Sequence, residues 1–89
     1  MSEEEGLKST VAKHDAIMND LKQYIGKHKS ELRTILGKPT RIVSPSIWND
    51  IKYDEEWVYE RGIFLINKQY RMFFIKDNII AYVKFGGFY

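Results

Sequence analysis

Between Leu7 and Ile25 the apolar residues Leu7, Val11, Met18, Leu21 and Ile25 fall three, four or seven positions apart, with Lys8, Lys13, Asp15, Asp20 and Lys22 between them. That spacing predicts an amphipathic helix lying with one face on a core. Gly26 is placed to end it, because glycine enters the left-handed region at a helix terminus without a Cβ penalty. A second, shorter helix is expected directly afterwards. His28 is positioned as its cap, and Glu31, three residues on, can return its carboxylate to the cap residue's N–H. Leu32, Ile35 and Leu36 share one face, with Arg33 and Thr34 on the other. Gly37 closes the helix, and Pro39 prevents its resumption, since it lacks an N–H and disfavours the α conformation at Lys38. A helix of about two turns is not stable alone in water, so it must dock on the strands C-terminal to it.

The stretch from Pro39 to Asp54 mixes Pro45 and Asn49-Asp50 with the scattered apolar residues Ile42, Val43, Ile47 and Trp48, and reads as a loop with at most an edge strand. Three strands are expected next, from about Glu55 to Arg61, Lys68 to Lys76 and Ile79 to Phe85, all rich in aromatic and β-branched residues. Asp77-Asn78 suits a two-residue hairpin turn. A regular register then sets Lys76 opposite Ile79, Phe74 opposite Ala81, Met72 opposite Val83 and Tyr70 opposite Phe85. The other face would carry Phe73, Ile75, Ile80 and Tyr82, bordered by Arg71 and Lys84. Both faces are then substantially apolar, whereas a sheet covered by helices on one side normally turns a polar face to water. Something must cover the second face: the Pro39–Asp54 segment, the termini, a second copy or a partner protein.

The chain has 89 residues and so forms one domain, expected over residues 7–89 behind a polar tail at residues 1–6. Cysteine is absent, which suits a reducing compartment and removes thiol nucleophiles and thiolate metal sites. The acidic start Ser2-Glu3-Glu4-Glu5 is unlike a signal peptide, and no apolar run approaches the roughly 20 residues of a membrane span; a cytoplasmic location is expected. His14 and His28 are the only histidines and lack metal-site spacing. Glu55-Glu56 and the pair Asp50 and Asp54 read as solvated loop acids, and no glycine-rich phosphate loop occurs. No catalytic, cofactor-binding or metal-binding residue, and no cofactor, is therefore expected. Charge is polarised along the chain: Lys27, Lys29, Arg33, Lys38 and Arg41 accompany Glu31 alone, whereas Asp50, Asp54, Glu55, Glu56 and Glu60 accompany Lys52.

Taken together, Gly26, Glu31, Leu32, Leu36, Gly37 and Pro39, followed by Trp57-Val58-Tyr59, resemble the signature of the BamE (SmpA/OmlA) family of outer-membrane assembly lipoproteins, over roughly residues 20–85. The resemblance implies an α+β fold of two N-terminal helices packed on a three-stranded antiparallel sheet, also used by β-lactamase inhibitor protein repeats, and a role in binding other proteins. The lipoproteins' lipobox cysteine and signal sequence have no counterpart here, and His28 stands where a Ser or Thr cap is usual. The chain therefore reads as a cytoplasmic cousin. The expected function is that of a non-enzymatic protein-binding module: an inhibitor, immunity protein or assembly adaptor, or a homodimer. Phe73, Ile75, Ile80 and Tyr82 would form its apolar anchor, and Arg71 and Lys84 its charged rim. The alternative is single-stranded nucleic-acid binding, with Phe73 and Tyr82 stacking on bases beside Arg71 and Lys84.

Overall fold

The structure is a computed structural model that describes residues 14–63 and 66–87. The expected tail at 1–6 and the first turns of the first helix lie outside the described residues. Helix α1 occupies residues 14–22, ending in a turn at residues 23–26, and helix α2 spans Lys29–Leu36. Six strands come after them: β1 Arg41–Val43, β2 Ser46–Trp48, β3 Ile51–Tyr53, β4 Glu55–Ile63, β5 Ile66–Lys76 and β6 Ile79–Gly87.

The glycine stops act where expected. Gly26 takes φ +91° and Gly37 φ +81°, conformations that side chains with a Cβ rarely adopt. His28 caps α2, its Nδ1 accepting from the Ser30 N–H at 3.1 Å with the Ser30 hydroxyl 2.8 Å away. The cap is thus made by the His28 ring and Ser30, and the expected return of the Glu31 carboxylate to the His28 N–H is not among the hydrogen bonds of the described residues. Of the expected apolar stripe, Leu32 is fully buried and Leu36 packs on the core, but Ile35 is 56% exposed. Imidazole is a poor cap beside aspartate, whose charge also suits a helix N-terminus. His28→Asp should therefore raise the free energy of unfolding by about 0.5–1 kcal/mol and His28→Ala lower it by about the same, read from urea denaturation midpoints.

The expected three-stranded sheet is corrected to four antiparallel strands in the order β1-β4-β5-β6, with β2 and β3 forming a separate two-stranded ribbon. The segment with the composition of a loop supplies the difference. Arg41–Val43 adds to the edge of β4, with Arg41 opposite Val58 and Val43 opposite Glu56. Asn49 and Asp50, at φ +52° and +63°, make the tight turn of the ribbon.

Hydrogen bonds across the sheet edge tie the helices to β6. Gly26 N–H donates to Ile80 O at 2.8 Å, Ile80 N–H to Lys27 O at 2.9 Å and Lys29 N–H to Asn78 O at 2.9 Å. From this clamp α1 runs along β6, reaching Phe85 with the His14 ring at 5.5 Å. Helix α2 runs along β4, from the Lys29–Glu55 ion pair at 2.6 Å to the Tyr59 hydroxyl, which donates to Gly37 O at 2.8 Å. Between helices and sheet lies the core of Leu21, Tyr24, Leu32, Trp57, Tyr59, Phe73, Ile75, Ile80, Val83 and Phe85.

The hairpin register also differs from expectation. Asp77 and Asn78 form the turn at φ +53° and +67°, and Lys76 faces Ile79. One step further the register shifts: Ile75 pairs with Ile80 but Phe74 pairs with Tyr82, leaving Ala81 as an extra residue in a bulge. Beyond it every side chain of β6 has changed face. The gain is physical, because Val83 and Phe85 join Ile80 beneath the helices while Lys84 avoids burial there.

Candidate interaction surfaces

The second face of the sheet is covered by the chain itself. The ribbon crosses it, stacking Trp48 on Phe74 at 6.1 Å between centroids, with Tyr53 at 5.1 Å and Tyr82 at 5.9 Å from the same ring. Lys84 Nζ sits 3.5 Å from the centre of the Trp48 ring, a cation–π contact. Ser46 donates to Glu56 Oε1 at 3.1 Å and Ser44 to Asp54 O at 2.9 Å, while Asp54 accepts from the Asp77 N–H at 2.8 Å. Phe74 and Val58 are consequently buried. The excess apolarity of the hairpin is met by the Pro39–Asp54 segment.

This arrangement separates the six residues expected to form one binding face. Phe73, Ile75 and Ile80 are fully buried under the helices. Arg71 lies on that same side, its guanidinium 5.4 Å from the Phe85 ring. Tyr82 and Lys84 lie on the opposite side, beside the ribbon. Phe73 and Tyr82 therefore cannot stack on one strand of nucleic acid, nor can Arg71 and Lys84 flank a shared patch. The bulge at Ala81 is the reason, and nothing in the residue pattern short of the packing itself announces it.

What the surface offers is a different set. Eight large apolar residues are exposed among the described residues, and four of them, Ile42 at 50%, Val43 at 38%, Ile47 at 72% and Ile51 at 47%, come from the short run β1–β3. In the ribbon, Ser46, Tyr53, Trp48 and its cross-strand partner Ile51 lie on the side toward the sheet, which directs Ile47 and its partner Lys52 outward, while in β1 Ile42 opposes Trp57 on the helix side and Val43 opposes Glu56 on the ribbon side. The residue pattern conceals this surface because the segment has the composition of a loop. Its signal is Asn49-Asp50, a two-residue turn between short alternating runs.

A second feature surrounds Tyr59, at the end of the sheet away from the Asp77–Asn78 turn. Arg71 is the cross-strand partner of Tyr59, and Arg61 lies two residues along on the same face. Lys38 adjoins Gly37, whose carbonyl accepts from the Tyr59 hydroxyl. Burial pushes the Tyr59 phenol up to about 12, opposed by the nearby Arg33 charge. The acids of β4 are engaged elsewhere. Glu55 accepts from Lys29 Nζ at 2.6 Å and Trp57 Nε1 at 2.7 Å, bonds that hold its carboxyl below the usual range. Glu60 pairs with Lys68, and Glu56 accepts from Ser46 on the ribbon side.

Among the described residues no group of three or more His, Cys, Asp or Glu side chains is placed to hold a metal ion, and no helix is long and apolar enough to cross a membrane. His14 packs on Phe85 and His28 caps α2. Comparison with protein-family models, with curated proteins and with solved structures returned no match.

Proposed function

We propose that this chain is a non-catalytic protein-binding module, an inhibitor, immunity protein or assembly adaptor, working from the edge strand β1 and the β2–β3 ribbon. The observation that carries the reading is Ile47, 72% exposed on the outward side of the ribbon, in a short stretch that also carries the exposed residues Ile42, Val43 and Ile51 on its other faces. Apolar residues scattered singly over a surface are ordinary, whereas four within three consecutive short strands support contact between that segment and another protein. The BamE-like pattern from Gly26 to Pro39 supports the same reading, as a cytoplasmic relative of that family. The occupant is a different protein or a second copy.

Ile47→Asp tests this. At 72% exposure the substitution should change stability by less than about 0.5 kcal/mol. It should nevertheless abolish retention of a partner on immobilised protein, or dissociate a dimer seen by light scattering. Equal retention or equal dimerisation by the wild type and the variant would show that the ribbon's outer face is ordinary surface.

A further inference from the structure

The cations around Tyr59 are the strongest unassigned feature of the molecule. Arg33 from the last turn of α2, Lys38 from the loop after it and Arg61 from β4 are exposed and form no ion pair among the described residues. Arg71 adds a fourth charge, although it has partners, lying over Phe85 and 3.4 Å from the Gln69 side-chain oxygen. Three elements therefore bring positive charge to one end of the helix-side face. Of the carboxylates on α2 and β4, Glu31 is exposed in the first turn of α2, Glu55 holds Lys29 and Trp57 at that same end, and Glu56 and Glu60 belong to the opposite face. Asp15, beside His14 at this end of α1, is exposed and forms no ion pair among the described residues.

Gathering like charges in excess of the described carboxylates near them raises the energy of the folded state, and an anionic occupant removes that cost. We infer that this end of the molecule, distinct from the β1–β3 surface, docks a carboxylate-rich segment of another protein. Arginine forks suit carboxylates and phosphates alike, so the surroundings decide between them. The aromatic rings beside these cations, Tyr59 and Phe85, are buried. No base can stack on them, and a net charge of only +2 gives little attraction for a nucleic-acid backbone. The separation of the cations over α2, its trailing loop and β4 fits several carboxylates along a segment better than one small acid.

The test is fluorescence anisotropy of a labelled oligoglutamate peptide against the whole chain at low salt, with a labelled oligothymidylate of matched charge as comparison. The peptide should bind more tightly than the oligonucleotide, and added salt should weaken it. The double reversal Arg33→Glu/Arg61→Glu should reduce affinity at least about tenfold, and the neutral pair Arg33→Gln/Arg61→Gln by a smaller factor. Lys22 and Lys76 are exposed at the other end of the sheet, so Lys22→Glu/Lys76→Glu, with the same change in net charge, should leave affinity within about twofold. Circular dichroism checks that each variant is folded. Absence of peptide binding, equal loss in the Lys22/Lys76 variant, or an oligonucleotide bound as tightly as the peptide would each overturn the assignment. The affinity of a partner for the ribbon is a separate measurement, unaffected by any of these outcomes.

Discussion

Phe74→Ala is expected to destabilise the protein by about 3–5 kcal/mol and to release the ribbon before anything else. The ring is 2% exposed and is met by Trp48, Tyr53 and Tyr82, two of which arrive on the ribbon. Removing it empties the centre of that contact and takes from Trp48 its ring partner, the Lys84 ammonium remaining against its face. Backbone amides of residues 46–53 should lose hydrogen-exchange protection, while the amides of α2 and the Gly26–Ile80 clamp keep most of theirs. Equal loosening of the helices would mean that the two faces of the sheet are not separable layers. A domain of 89 residues has roughly 5–13 kcal/mol of stability in total, so the variant is best followed at low temperature and low denaturant.

The neighbouring substitution Phe73→Ala should cost a similar amount, about 3–5 kcal/mol, with the opposite pattern. Phe73 is fully buried and packs edge-on against Tyr24 at 5.6 Å and Tyr59 at 5.7 Å. Its loss should expose the amides of α1, α2 and the link between them and leave the ribbon comparatively protected. Phe73→Glu, which places a carboxylate between those rings, should unfold the chain. A folded Phe73→Glu variant with impaired association would instead mean that this residue belongs to a surface. Two adjacent phenylalanines thus report on two different layers.

The residue pattern announces the local signals and misses the long-range one. Gly26, His28, Gly37 and Asp77-Asn78 act as their chemistry demands because each sets backbone geometry within a few residues. The faces of β6 differ from expectation because one inserted residue, Ala81, reverses every later side chain, and the choice depends on what Val83, Lys84 and Phe85 meet across the fold. A similar reason hides the ribbon. Ser46–Tyr53 is stabilised by rings on β5 and β6 and by the Ser46–Glu56 bond, so its own composition is that of a loop. The excess of apolar residues on the hairpin is legible in the residues alone, and so is the need for a cover. The identity of the cover is not, and the candidate binding surface moves with it, from the hairpin to the segment that hides the hairpin.

The bonds joining Gly26, Lys27 and Lys29 to Asn78 and Ile80 have a consequence for the order in which the chain can fold. The β4–β5 and β5–β6 hairpins are local and can zip from their own turns, but the link between the helices has no partner until the start of β6 exists. A contact over that separation carries a larger loop-closure entropy cost than a hairpin does, and that cost comes before the contact returns anything. On a ribosome, α1 and α2 would emerge first and wait, their apolar stripes uncovered, for a strand made much later. The helices that lead the sequence are therefore among the last parts of the domain to become secure.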